Sequence, residues 1–186
     1  MSATNIKKIV VIGPESSGKS HLCESLSKHY QTIWCPEYAR EYLLTNGTDY
    51  RYEDLLTIAK GQLQLEDDLS GQIKAVEKPI PFFIDTDMYV MKVWNEFVFQ
   101  KCHRLILDQI VHRQYDAYLL CKPDIPWVKD TLREYPDEAV RIALYHHYKD
   151  AMIHQELSWV EITGDYEQRL ESAIRFTDSL LSSSSL

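Results

Sequence analysis

Five short apolar runs punctuate the chain: Lys8–Ile12 (KIVVI), Thr32–Cys35 (TIWC), Ile80–Asp85 (IPFFID), Ala117–Cys121 (AYLLC) and Trp159–Ile162 (WVEI). Most are continuous rather than alternating and rich in β-branched or aromatic residues, the pattern of strands buried on both faces. Between them apolar residues return every three or four positions, which predicts helices. Lys19–Tyr30 carries Leu22, Leu26 and Tyr30 at four-residue steps, and Tyr38–Thr45 is closed by Asn46-Gly47. A long helical pattern covers Tyr52–Val76, with Leu55, Ile58, Leu65, Leu69, Ile73 and Val76 on one face. Gly61 and Gly71 interrupt it, each costing about 1 kcal/mol relative to alanine, so two shorter helices are an alternative. Further helices are expected at Asp87–Phe99, Arg104–His112, Asp137–Gln155 and from near Asp165 onward.

Strands and helices alternate throughout, so the expected fold is α/β: three layers, with a five-stranded, mainly parallel sheet and helices on both faces. No internal repeat or linker is visible, and 186 residues suit one core, assigned to residues 1–181, with a Ser-rich tail at 182–186. In such sheets ligands sit at the carboxyl ends of the strands. Twenty Lys and Arg against 28 Asp and Glu give a net charge of −8, which argues against nucleic-acid or anionic-membrane partners, since both need a basic face. The four cysteines stand singly and are expected to be reduced, structural thiols. No apolar stretch approaches the length of a membrane span, and Met1–Lys8 is too short and polar for a signal peptide, so a cytoplasmic protein is expected.

The first strand runs into Gly13-Pro14-Glu15-Ser16-Ser17-Gly18-Lys19-Ser20, which fits GxxxxGK[ST] between a buried strand and an amphipathic helix. The glycines let successive backbone N–H groups turn inward around a phosphate, and the next helix points its positive end there. Lys19 can then bridge β- and γ-phosphates while the Ser20 hydroxyl ligates Mg²⁺. Asp85 ends the third run, the place of a second carboxylate at the metal, and Asp87 could reach a substrate hydroxyl. Glu37 follows the second run in CPEYARE and could accept a proton or hold ribose hydroxyls; Arg40, three residues on, would share its face. The polar segment Pro123–Tyr135 (PDIPWVKDTLREY) reads as a lid that brings positive charge to a transferring phosphoryl group, with Arg133 the first candidate and Lys129 the second. Trp127 could stack on a flat ring or anchor the lid. His146, His147 and His154 are read as surface residues of an amphipathic helix.

GPESSGKS, CPEYARE, FFIDTD and CKPDIPWVKDTLRE follow one another in an order that resembles the ribosylnicotinamide kinase domain of the NadR proteins, over nearly the whole chain. The resemblance implies a P-loop kinase that uses ATP, with Mg²⁺, to phosphorylate the ribose 5′-hydroxyl of nicotinamide riboside. It implies that Gly13, Glu15, Ser16, Ser17, Gly18, Lys19 and Ser20 hold the nucleotide phosphates, with Ser20 and Asp85 at the metal. Glu37, Tyr38, Arg40, Asp87 and Trp127 would line the riboside pocket, Arg133 would act from the lid, and Tyr166 would touch the adenine. Glu37 and Asp85 remain rivals for the general base. NadR proteins carry an adenylyltransferase domain as well, and no HxGH-type motif occurs here, so the chain is expected to stop at the mononucleotide. The alternatives are a kinase for another nucleoside or small alcohol, and an ATP-binding sensor without phosphoryl transfer.

Overall fold

The computed structural model describes residues 5–74, 78–127, 132 and 135–183. The strands among them are β1 (Ile6–Ile12), β2 (Trp34–Cys35), β3 (Ile80–Asp85), β4 (Ala117–Cys121) and β5 (Ser158–Ile162). The helices are α1 (Lys19–Tyr30), α2 (Tyr38–Asn46), α3 (Tyr52–Ser70), α4 (Met88–Phe99), α5 (Arg104–His112), α6 (Glu138–His154) and α7 (Tyr166–Ser183). All five strands pair in parallel, in the order β2-β3-β1-β4-β5.

The two-residue period of a strand divides the sheet's side chains between two cores. Ile9, Val11, Phe83, Leu119 and Ile162 face α1 and α7, meeting Leu22, Leu26 and Ala173. Val10, Ile12, Phe82, Ile84 and Leu120 face the other way, toward Val90 and Val93 of α4 and Leu144, Tyr148 and Met152 of α6. A smaller cluster joins α2, α3, α4 and α5 through Ala39, Leu55, Ile58, Met91 and Ile106. The expected three layers are therefore present, and the sheet is parallel throughout.

Several element bounds differ from expectation, each for a local reason. Thr32 does not enter β2, because its N–H donates to the Ser27 carbonyl at 2.9 Å and closes α1 instead. Gly61 does not break α3. The ring of Tyr38 lies so close that a Cβ on Gly61 would come within 2.1 Å of it, so the glycine there makes room for a neighbour. The helix ends at Gly71; Val76 lies outside the described residues. Asp87 caps α4 rather than starting it. Ser182 and Ser183, expected in the tail, continue α7, their hydroxyls donating to the carbonyls of Asp178 and Ser179 at 2.8 Å. No helix among the described residues is long and apolar enough to cross a membrane. Cys23, Cys35, Cys102 and Cys121 are unpaired, and burial pushes the thiols of Cys35 and Cys121 up to about 12.

Candidate active site

The loop between β1 and α1 turns sharply at two glycines. Gly13 has φ 144° and lies against β4, where a Cβ would stand 2.5 Å from the Cys121 carbonyl oxygen. Gly18 has φ 81°, and Ser16 between them is left-handed as well at 57°. Backbone of this hand, set before a helix N-terminus, turns consecutive N–H groups toward one point. The Ser17 hydroxyl donates to the Pro14 carbonyl at 2.7 Å and Lys19 Nζ to the same oxygen at 3.1 Å, so the loop is braced across its own width.

Arg169, on α7, holds this loop from behind. It is 2% exposed. Its guanidinium donates to the Ser17 carbonyl at 2.8 Å, the Gly164 carbonyl at 2.7 Å, the Lys122 carbonyl at 2.8 Å and the Asp124 carboxylate. Three loops at the carboxyl edge of the sheet are thus tied to one side chain, and the carbonyl of Ser17 is drawn away from the phosphate side.

The β3 end supplies the carboxylates. Ser20 Oγ donates to Asp85 Oδ2 at 2.5 Å, joining the phosphate loop to β3. Asp85 is fully buried, and desolvation raises its carboxyl to about 6, with Lys19 pulling down and Glu37 pushing up. Thr86 follows with φ 79°, a conformation that costs a β-branched residue of order 1–3 kcal/mol. This kink separates Asp85, on the loop side, from Asp87. Asp87 Oδ1 accepts the N–H groups of Tyr89 at 2.9 Å and Val90 at 3.2 Å, and Oδ2 accepts the Tyr118 hydroxyl at 2.9 Å. Expected at the substrate, Asp87 instead caps α4 inside the core, outside the cavity lining. Burial raises its carboxyl to about 7.

Both carboxyls bind a proton more tightly folded than unfolded. The stability they contribute is complete below about pH 4 and is lost as pH rises through about 6 for Asp85 and about 7 for Asp87. The ligand-free melting temperature should therefore fall between pH 5 and 7.5, with up to ~1.4 kcal/mol lost per pH unit per group. Asp85→Asn should flatten the lower part of that slope. A melting temperature that rises across the same range in wild type would contradict the desolvation argument.

Gln62, buried on α3, places Glu37. Its amide nitrogen lies 3.3 Å from the Pro36 carbonyl and 3.4 Å from that of Asp85, while its oxygen accepts the Tyr38 N–H at 2.7 Å. The β2 and β3 ends are thereby held together, and Glu37 comes to the cavity wall at the start of α2.

One cavity of about 260 Å³ runs along this edge. Gly13, Glu15, Ser16, Ser17, Gly18, Lys19 and Ser20 form one end, with His21 and Tyr166, whose ring centroids are 4.6 Å apart, beside them. Glu37 and Arg40 line it as well, and an apolar wall of Val90, Trp94, Phe97, Leu144 and Tyr148 forms the far side. Glu15 Oε1 accepts the Tyr135 N–H at 2.7 Å and the Trp127 indole N–H at 3.4 Å, which ties these two residues to the phosphate loop. Tyr38 and Trp127 are not in the lining: the first packs over Gly61, the second faces Glu15. Arg133 and Lys129 lie outside the described residues. His146, His147 and His154 are exposed, and no group of three His, Cys, Asp or Glu side chains suited to a metal occurs among the described residues. Arg169, Gln62 and the apolar wall were not anticipated. For the first two a signal existed: a polar residue on the buried stripe of an amphipathic helix.

A family model described as an AAA domain matches residues 8–169. The trifunctional NAD biosynthesis/regulator protein NadR of Salmonella typhimurium is 25% identical over 181 residues, covering 95% of this chain and 43% of that protein. The chain thus spans less than half the length of that relative. A crystal structure of NadR protein in complex with NR matches with TM-score 0.80 at 22% identity, over 96% of this chain and 50% of that one. Thymidylate kinase from Ehrlichia chaffeensis matches with TM-score 0.62 at 13% identity, over 93% and 99% of the two chains. The resemblance read from the motifs therefore extends over nearly the whole sequence.

Proposed function

This chain belongs to the AAA domain family and has the P-loop fold of nucleoside and nucleotide kinases, and we propose that it phosphorylates the ribose 5′-hydroxyl of nicotinamide riboside with ATP. The observation that carries the reading is one continuous cavity lined by the phosphate loop, by Glu37 and by the apolar wall of Trp94, Phe97 and Tyr148, which would serve as the acceptor slot. Apolar and aromatic walls suit a flat ring, and the few polar groups fix its orientation. The relatedness to NadR, one structure of which holds NR, supports that acceptor among nucleosides.

In this reading the loop N–H groups and Lys19 bind the β- and γ-phosphates, and Tyr166 stands where the adenine enters. Ser20 and Asp85 offer two hard oxygen donors 2.5 Å apart beside the loop, a set that fits Mg²⁺, an ion that takes its remaining ligands from phosphate and water. When bound, Mg²⁺ neutralises charge on the transferring phosphoryl group. Asp85 is committed to Ser20 and buried, whereas Glu37 stands on the cavity wall. Glu37 is therefore the better-placed base to take the 5′-hydroxyl proton as that oxygen attacks the γ-phosphorus and ADP leaves. Arg40 lies one helical turn on from Glu37 and would meet the acceptor's polar edge.

The test is ADP release with Mg²⁺-ATP and a panel of acceptors: nicotinamide riboside, cytidine, uridine and deoxynucleosides. Nicotinamide riboside should exceed the others in kcat/KM by roughly a hundredfold, the scale at which a mainly apolar pocket discriminates. Glu37→Gln should lower kcat by about 10²-fold at saturating Mg²⁺. Turnover with a different nucleoside would replace the acceptor, and ATP binding without acceptor-dependent ADP release would overturn the kinase in favour of a sensor.

A further inference from the structure

The partly buried and buried cations around the sheet, among the described residues, mostly have acidic or carbonyl partners. Arg169 has four acceptors, and Arg113 meets Glu66 and Asp67 beside Lys8, which also reaches Glu66. Arg141 differs. It is 5% exposed, and its Nε and one terminal nitrogen, both buried, have no hydrogen-bond partner. It heads the buried stripe of α6, in the first turn ahead of Leu144, Tyr145, Tyr148 and Met152, where periodicity alone calls for an apolar residue. A guanidinium taken from water without a counter-charge costs several kcal/mol, and among the described residues these two nitrogens have no hydrogen-bond partner and the side chain no ion pair within 4.0 Å.

The position of Arg141 indicates what the missing partner is. Leu144 and Tyr148, three and seven residues on, line the apolar wall of the same cavity, and such spacing puts all three on one face of the helix. Side chains on a helix lean toward its N-terminus. For α6 that end follows directly from Tyr135, whose N–H is bonded to Glu15 of the phosphate loop. Arg141 itself stands outside the cavity lining, and this general lean directs a long side chain at its position toward the end of α6 that is tied to the phosphate loop.

We infer that Arg141 is a phosphate-binding residue whose guanidinium meets the terminal phosphoryl group of the bound nucleotide. This rests on the nucleotide-binding half of the kinase reading and not on the identity of the acceptor. A planar fork matches phosphate oxygens in a way a lysine cannot, and the anion supplies a counter-charge that the described residues do not. The contact is to the γ-phosphate of ATP and is absent with ADP.

The experiment compares wild type, Arg141→Met and Arg141→Lys in equilibrium binding of Mg²⁺-ATP and Mg²⁺-ADP, and in melting temperature without ligand. Arg141→Met should weaken ATP about a hundredfold and ADP by less than about threefold, the scale of one charge-assisted, bidentate contact. Arg141→Lys should fall between. Ligand-free Arg141→Met should melt at or above the wild-type temperature, since it removes an uncompensated buried charge. Equal loss for both nucleotides, no loss for either, or a methionine variant that melts well below wild type or does not fold would each overturn the inference. Because binding is the readout, a failure of the acceptor assignment leaves this test intact.

Discussion

Replacing Lys19 with alanine is expected to lower kcat/KM for phosphoryl transfer by on the order of 10³-fold, about 4 kcal/mol of transition-state stabilisation. The side chain leaves the first turn of α1 and folds back over the phosphate loop, its Nζ 3.1 Å from the Pro14 carbonyl, so its charge sits where the phosphates of a nucleotide would lie. It also pulls down the carboxyl of the buried Asp85. Without it that carboxyl should hold its proton to higher pH, and the acidic limb of the pH–rate profile should move upward in the residual activity. The fold should persist, because among the described residues the ammonium hydrogen-bonds only to the Pro14 carbonyl. Steady-state kinetics across pH 5.5–8.5, with circular dichroism as the control, reads both effects. Turnover within a few-fold of wild type would remove Lys19 from the mechanism.

The second large effect is on stability. Arg169→Met should cost about 3 kcal/mol, because the carbonyls of Ser17, Gly164 and Lys122 lose their shared donor and Asp124 loses its counter-charge. Each carbonyl left short of a partner costs roughly 1 kcal/mol or more, and the exposed Asp124 adds little beyond that. For a domain of this size the melting temperature should fall by roughly 6–12 °C. ATP affinity should drop as well, since the Ser17 carbonyl is then free to turn toward the phosphates. Arg169→Lys keeps the charge but not the fork and should recover only part of the loss. A methionine variant with wild-type melting temperature and ATP affinity would show that the loop is held by its own glycines and the Ser17 hydroxyl.

Ser17 illustrates how far local sequence carries. A glycine-rich run between an apolar strand and an amphipathic helix specifies its own backbone, because the turn depends on residues within eight positions and on φ values that glycine permits. Asp85 was legible for a similar reason: an apolar run ending in a carboxylate puts that carboxylate at the sheet edge. Asp87 was not. Two residues further on it has the same chemistry, but the left-handed Thr86 turns it into the core to cap α4 and take the Tyr118 hydroxyl. That hydroxyl comes from a strand 31 residues away.

Gln62, Glu66, Arg141 and Arg169 mark the same boundary. Each lies on the buried stripe of a helix, where periodicity registers a polar residue only as a gap in the pattern. The gap says that a partner is needed and says nothing about which. Gln62 finds the ends of β2 and β3, Arg169 finds the phosphate loop, and Glu66 finds Lys8, Arg113 and Tyr115.

From the sequence alone, the order of strands and helices, the α/β class and the place of the phosphate loop could be derived, because each depends on burial periodicity and backbone freedom within a short window. The tertiary structure decided the arrangement β2-β3-β1-β4-β5, and with it which distant side chains meet at the cavity. Strands buried on both faces read alike whatever their neighbours, so their order is set by how the connecting helices pack. The acceptor wall of Trp94, Phe97 and Tyr148 exists only because α4 and α6 cover the same face of the sheet.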